Sequence, residues 1–286
     1  MWRVSEFAKL GRIDHGIMTS LAVFTGYVLN VGFVLGRMSL YRLLMGLISA
    51  FFLEVGIFVF NDVFNINEDR INAPDRPLVI GTVKVREAVI FGISTLCLGL
   101  FFSYVIGGDV FCLALCAVIV SMLYNVGIKK YGFLGNLIVA FSTALPFIYG
   151  GVLASEELMY LPTRIWYVFF IAFLATLGRE VLKGIVDMEG DRRVGVKTIA
   201  VVFGTRAAVM LASLFILIAV LISIMIIPYV HNVLLYVLML FFVDMLLIYS
   251  VYILIKKQDI SSARVARKTT LIAMGLGIIA FLLSSI

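Results

Sequence analysis

An all-α, polytopic membrane protein is predicted, and three observations predict it. Of 286 residues, 63% are apolar and only 14% are charged, against roughly a quarter charged in an ordinary soluble domain. Apolar segments near the ~20 residues that a bilayer-crossing helix needs recur along the whole chain. The basic residues fall into alternate connections between those segments. Together these exclude a soluble globular domain and a disordered chain, neither of which combines so much apolar surface with so few charges. The net charge of +6 is dispersed among apolar segments, which suits basic loops at a membrane rather than a nucleic-acid surface.

Nine spans are expected, at about 14–35, 40–62, 86–106, 109–127, 133–154, 164–186, 206–228, 231–255 and 267–286. The N-terminal stretch MWRVSEFAKLGR runs into the first span without a small-residue cleavage site, so no cleavable signal peptide is expected. The second span is followed by a long charged loop, 61–86, and the sixth by another, 187–206. The fourth span is the shortest. Pro228 and His231-Asn232 divide the apolar run 205–255 into two spans joined by a tight turn. The remaining connections are short, so residues 1–286 read as one membrane-embedded domain. The nine helices are expected to bundle around a central cavity under cytoplasmic cap loops. Cys97, Cys112 and Cys116 all lie in apolar stretches and read as buried packing residues, not a disulfide framework or a zinc site.

Eighteen of the 23 lysines and arginines lie in the N-terminus and the loops after spans two, four, six and eight. Arg37, Arg42 and Arg164 lie on the opposite side, and Arg179 and Lys183 inside span six. This asymmetry places the N-terminus and both long loops in the cytoplasm; nine crossings then leave the C-terminus outside. The two long loops share a pattern. Each carries an acidic cluster, then Asp-Arg (Asp69-Arg70, Asp191-Arg192), then an apolar stretch ending in Gly-Thr (Gly81-Thr82, Gly204-Thr205). Such a pattern is expected of a duplicated four-helix unit.

Chemistry concentrates in the same loops. Asn61, Asn65 and Asp69 recur at every fourth residue and share one face if span two continues as helix. Arg179, Lys183, Asp187 and Asp191 repeat that spacing at the end of span six. Carboxylates at a helix C-terminal end oppose the macrodipole, and a cation offsets both that and their mutual repulsion. Mg²⁺ suits the task, because it binds through one or two carboxylates and completes its shell with water and substrate phosphate. Two acidic faces across a bundle thus suit metal ions and a diphosphate, with nearby Arg and Lys balancing the phosphate charge. Glu54, Glu180 and Asp244 are carboxylates within or near spans, where charge is costly and often functional. Glu54 lies two turns before Asn61 on a similar face. Glu180 and its neighbour Arg179 are not expected to face each other. A secondary transporter also uses ionisable residues in spans, but concentrates them near the midplane.

At these residues the chain resembles the UbiA superfamily of intramembrane prenyltransferases. The first signature of that family is similar to NDVFNINEDRINAPDRPLVIG, Asn61 to Gly81, and the second to REVLKGIVDMEGDRR, Arg179 to Arg193. A third element resembles Tyr124 and Lys129 before Gly132 and Gly135-Asn136, and Arg12 stands where the family often has an arginine before span one. Asn65 replaces the usual second aspartate, while Gly184 and Val186 stand where acidic residues are common. The resemblance implies Mg²⁺-assisted ionisation of a prenyl diphosphate to an allylic cation, which an acceptor captures in a water-poor pocket. It implies metal ligands among Asn61, Asp62, Asn65, Asp69, Asp187 and Asp191. It implies catalytic roles for Asp69, Asp187, Asp191 and Lys183, and substrate contacts from Arg12, Arg70, Arg76, Tyr124, Lys129, Arg179, Arg192 and Lys197. The second signature looks most like the archaeal ether-lipid branch. That branch takes geranylgeranyl diphosphate as donor and geranylgeranylglyceryl phosphate as acceptor; prenylation of an aromatic quinone precursor is the alternative. The implied partners are these substrates and membrane lipids, with no obligatory protein partner.

Overall fold

The computed structural model describes residues 2–33, 39–193 and 195–286. Arg37 and the end of the first expected span lie outside the described residues. The described residues form twelve α-helices and no strand. Eight helices are long and apolar enough to cross a membrane. They are α3 (Leu40–Asn72), α5 (Val85–Ile106), α6 (Gly108–Val126), α7 (Phe133–Ser155), α8 (Thr163–Val186), α10 (Ile199–Met225), α11 (Val233–Lys257) and α12 (Ile260–Leu283). Two short helices, α4 (Pro77–Ile80) and α9 (Met188–Arg193), lie in the long loops, and α1 (Trp2–Leu10) precedes the bundle.

The expected first span is helical, as α2 (Ile13–Val31), yet it falls outside the eight by composition. The reason is its polar content: Asp14, His15, Thr19, Ser20, Thr25 and Asn30 interrupt it. Several of these face protein. Ser20 donates to the Leu47 carbonyl (3.1 Å), Asn30 donates to the Gly151 carbonyl (2.9 Å), and Thr19 lines a cavity. The helix nevertheless runs the length of the bundle. Arg12 at its start reaches Asp62 near the end of α3, and Tyr27 near its end accepts from Ser39 N–H at the start of α3 (2.7 Å). Beside it, α7 approaches so closely that a Cβ on Gly150 would stand 1.9 Å from the Val23 carbonyl oxygen, the small-residue contact that lets membrane helices pack backbone to backbone.

Other boundaries moved for local reasons. The last span begins at Ile260, because Asp259 caps α12 by accepting from Ser262 N–H (2.7 Å). That bond, with others from Ser261 and Ser262, holds the Asp259 carboxyl below its usual range. The turn expected at Pro228 is present as a short 3₁₀ segment, Ile227–Tyr229, and Asn232 caps α11. The cysteines differ from expectation: Cys97 and Cys112 are exposed and Cys116 half-buried. They lie on the outward faces of α5 and α6 among exposed Phe101, Tyr104 and Ile119, where apolar chains meet lipid.

The largest core joins α2, α3, α7 and α8 and extends to α6 and to Tyr236 and Phe281 of α11 and α12; a second joins α8, α10, α11 and α12, and a small third lies under the cap, from Leu10, Val59, Leu78, Val83 and Ala88. The two long loops share a local course. In each, a long helix (α3, α8) leads to a short helical stretch (Pro77–Ile80; the turn from Ile199), then a glycine at positive φ (Gly81, +80°; Gly204, +84°), then Thr and the next long helix. Gly204 is where α10 kinks.

Candidate functional site

The first cluster rides on a continuation of α3 to Asn72, so Asn61, Asn65 and Asp69 do share a face. Asp62, Asn65 and Asp69 are buried, whereas Asn67, Glu68 and Arg70 are exposed. Buried carboxylates require partners, and the structure supplies them from far along the chain. Arg12 donates to Asp62 Oδ1 (2.9 Å), Arg76 Nη1 donates to the same oxygen (2.8 Å), and Arg76 Nη1 also pairs with Asp69. Pro77, at the first position of α4, fixes the backbone that delivers Arg76. Arg12 sits in the left-handed region (φ 46°, ψ 62°) and its guanidinium lies 4.5 Å from the centre of the Phe58 ring. A non-glycine residue held there costs on the order of 1–3 kcal/mol, a strain found where surroundings over-determine a side chain.

Lys129, in the loop between α6 and α7, donates to Asn65 Oδ1 and to Glu68 (2.6 Å). Asn61 Nδ2 donates to Asn125 Oδ1 (2.7 Å). Asn125 is buried and was not anticipated; its only signal is an amide within an apolar span, next to Tyr124. Sequence reasoning also missed Glu6. It accepts from Thr82 (2.6 Å) and Lys9 (3.0 Å), ties α1 onto the loop after α4, and is held below the usual carboxylate range by those bonds.

The second cluster departs from a continuous helix. α8 ends at Val186, Asp187 caps it with φ −96° and ψ 4°, and Asp191 belongs to α9. The expected single face is thus broken at Asp187, although Asp191 N–H still donates to the Asp187 carbonyl (2.9 Å) and keeps the two a turn apart. Among the described residues, neither aspartate side chain has a hydrogen-bond or ion-pair partner. Burial, then the neighbouring Asp187, pushes the Asp191 carboxyl above its usual range, with Lys183 pulling the other way. Arg179 and Glu180 do pair (3.2 Å), against expectation, and Lys183 lies 3.8 Å from the same carboxylate. Long side chains bend around the helix and so overcome the angular offset of adjacent positions. Among the described residues Arg179 Nε is buried without a partner. Arg192 and Lys197 are exposed at the mouth.

The two clusters lie at the same end of the bundle. Tyr124, at the end of α6, lies close enough to Glu68 of the first cluster and Glu180 of the second for both charges to act on it. Their loops also touch. Gly132 (φ +56°) passes so near the α9–α10 connection that a Cβ there would stand 1.8 Å from the Lys197 carbonyl oxygen. Further inside, α2, α3, α6 and α7 enclose a cavity lined mostly by Val23, Ala50, Leu53, Ile57, Leu113 and Ala117, with Glu54 among them. Asp244 is not part of this site; it accepts from Ser223 (3.1 Å) between α10 and α11.

Among the described residues no three Asp, Glu, His or Cys side chains converge tightly enough to enclose a metal ion by themselves. The donor chemistry nevertheless fits a hard divalent cation bound with substrate. Among the described residues Asp187 and Asp191 are unpartnered, burial and then Asp187 push Asp191 toward protonation, and carboxylate and amide oxygens fill the other cluster. An ion that keeps waters and takes phosphate oxygens needs only one or two protein carboxylates. Polar groups gathered at one end, rather than at the midplane, also argue against a transporter.

A model of the UbiA prenyltransferase family matches residues 20–283. Digeranylgeranylglyceryl phosphate synthase of Archaeoglobus fulgidus is 35% identical over 274 residues, covering 94% of this chain and 92% of that one. A solved structure of digeranylgeranylglyceryl phosphate synthase in membranes aligns with a TM-score of 0.85 at 28% identity, covering 100% of this chain and 99% of the other. The fold is shared with a UbiA homologue from Archaeoglobus fulgidus bound to DMAPP and Mg²⁺ (TM-score 0.72, 20% identity, 98% of each chain).

Proposed function

The chain belongs to the UbiA prenyltransferase family, and from that premise we propose that it moves the geranylgeranyl group of geranylgeranyl diphosphate to the free hydroxyl of geranylgeranylglyceryl phosphate. This is the ether-forming step of archaeal membrane-lipid synthesis. The observation that carries the reading is the placement of two polar clusters at one end of the bundle, their loops in contact at Gly132 and Lys197, beyond helices that line an apolar cavity. A diphosphate belongs with the former and an isoprenoid tail with the latter.

Asp69 on one side and Asp187 and Asp191 on the other are the principal carboxylates that hold Mg²⁺, with Asn61, Asp62 and Asn65 as further oxygen donors. When bound, the ion neutralises the diphosphate and so promotes departure of the leaving group. Arg12 and Arg76 hold the buried first-cluster carboxylates in place and present N–H donors at the same mouth. Lys129, Arg179 and Lys183 add positive charge where the diphosphate gathers negative charge. The Tyr124 hydroxyl is a further donor for the diphosphate. Arg70, Arg192 and Lys197 receive the phosphate of the acceptor at the exposed rim. Apolar side chains below exclude water from the allylic cation. The whole chain works as one multi-pass unit in the cell membrane, with its N-terminus and both polar clusters cytoplasmic and its C-terminus outside.

The test uses purified protein, labelled geranylgeranyl diphosphate and two acceptors, geranylgeranylglyceryl phosphate and an aromatic acid. Ether product is expected with the first acceptor, only in the presence of Mg²⁺, and is abolished by chelator. Product from the aromatic acid alone overturns the acceptor, and no product from either overturns the reaction. Asp69→Ala and Asp187→Ala should each lower turnover at least tenfold while the protein still elutes as the folded species. Near-normal activity in both removes the two-sided metal site.

A further inference from the structure

One ionisable group on the cavity wall has no part in the machinery above. Glu54 lies on α3 seven residues before Asn61, which at ~1.5 Å per residue sets it roughly 10 Å deeper along the helix. It is the one carboxylate among the residues that line the cavity, beside Thr19, Ser121 and Ser142. The cavity tyrosine, Tyr149, is already committed, donating to Ser49 (2.9 Å). Among the described residues Glu54 forms no ion pair, and Arg12, whose charge reaches it, is engaged by Asp62. A carboxylate that faces a cavity inside a membrane span, without a paired cation, is costly and marks function. Thr19, on the neighbouring helix α2, donates a hydrogen bond to this carboxylate and fixes it on the cavity wall, and a carboxylate, with two acceptor oxygens, keeps capacity beyond that one bond.

The position suits the acceptor end of the transfer. With the diphosphate held at the cytoplasmic clusters and the tail in the apolar interior, the ester carbon lies on the membrane side of the phosphates, toward Glu54. We propose that Glu54 is the proton acceptor for the attacking hydroxyl of the acceptor lipid; this rests on the prenyl-transfer reading above. The carbon–oxygen bond to the diphosphate breaks with its electron pair leaving on the diphosphate. A lone pair of the acceptor oxygen forms the new ether bond to that carbon. The hydroxyl proton passes to a carboxylate oxygen of Glu54 and from there to water on product release. No oxidant or reductant is needed. The neutral hydroxyl of Ser121, on the same cavity wall, is suited to orient the alcohol without taking its proton, while Thr19 holds the Glu54 carboxylate in place.

The experiment compares wild type with Glu54→Gln on two acceptors, geranylgeranylglyceryl phosphate and its analogue carrying a thiol in place of the free hydroxyl. A thiol, with a pKa of about 8.5, is far more acidic than an alcohol and strongly nucleophilic, so it depends much less on the base. With the alcohol, Glu54→Gln is expected to form ether about 100-fold more slowly, the lower part of the range for general base catalysis, and to release more free prenol as water captures the cation. With the thiol, the variant is expected within threefold of wild type. Equal loss on both acceptors, or no loss on the alcohol, overturns the proposal. Absence of product from wild type overturns the prenyl-transfer reading itself, which is a distinct result. Should Glu54→Gln fail to elute as a folded species, Glu54→Asp is read on the same pair. A shorter carboxylate must then slow the alcohol at least threefold more than the thiol, and an unchanged ratio overturns the assignment.

Discussion

Arg76 shows how a single side chain organises the first cluster. One of its nitrogens serves both Asp62 and Asp69, two turns apart on α3, so its reach and direction matter as much as its charge. A lysine at this position keeps the charge but presents a compact ammonium on a flexible stem in place of a planar fork. Arg76→Lys is therefore expected to lower kcat/KM for the prenyl diphosphate about tenfold, the loss of roughly one charge-assisted hydrogen bond of ~1.5 kcal/mol or more. A steady-state titration of the donor checks it, and wild-type values would show that charge alone suffices. The spacing of Asn61, Asn65 and Asp69 was readable because a helix repeats locally. The partners were not: Arg12 meets Asp62 across 50 residues and Asn61 meets Asn125 across 64, and no local period encodes which distant loop folds back. The pairing of Arg179 with Glu180 was misjudged because backbone angles alone ignore the length of the side chains.

Helices present the same division between local and distant causes. Every expected span corresponds to a helix, because a long apolar run in lipid has one way to satisfy its backbone. What escaped were the ends. α8 stops one residue before Asp187, and α12 starts seven residues earlier than its apolar stretch because Asp259 caps it. Both depend on capping and local dihedrals rather than hydropathy. The short α1 was missed for a related reason: its Glu6 is buried only because Thr82, 76 residues on, supplies a donor. The contact of the α6–α7 loop with the α9–α10 connection has a sharp test. Gly132→Ala adds a methyl where the Lys197 carbonyl already stands and also forces a side chain onto a positive φ. Overpacking of this kind costs ~1–3 kcal/mol. The variant should melt several degrees lower in detergent and lose activity, because Lys129 and the Asp187–Asp191 segment are no longer held together. An unchanged melting temperature with full activity would show that the two loops need not touch.

Across the molecule, the scarce charge sets the orientation expected of the chain. Eighteen of 23 cations gather on the side of the two polar clusters, and charge of that sign is retained in the cytoplasm. Whether both termini share that side depends on α2. By composition eight helices qualify as spans, which would leave both termini together. α2 has 19 residues, about 28 Å of helix, close to the ~30 Å apolar thickness of a bilayer. Its start meets Asp62 at the cluster end of the bundle, and Asn30 near its end meets Gly151 and Arg164 at the other. Asp14 and His15 are exposed at its cluster end, whereas Thr19, Ser20 and Asn30 further along it bond to α3 and α7, so low hydropathy does not prevent it from crossing. Nine crossings are therefore expected, with the termini on opposite faces. A small tag at each end, probed by protease in right-side-out and inverted vesicles, decides between them. Cleavage of the C-terminal tag in right-side-out vesicles and of the N-terminal tag in inverted ones is the expected outcome. Cleavage of both tags only in inverted vesicles would mean that α2 does not span, and would require the Arg12–Asp62 contact to form at the membrane surface instead of at the end of a crossing helix.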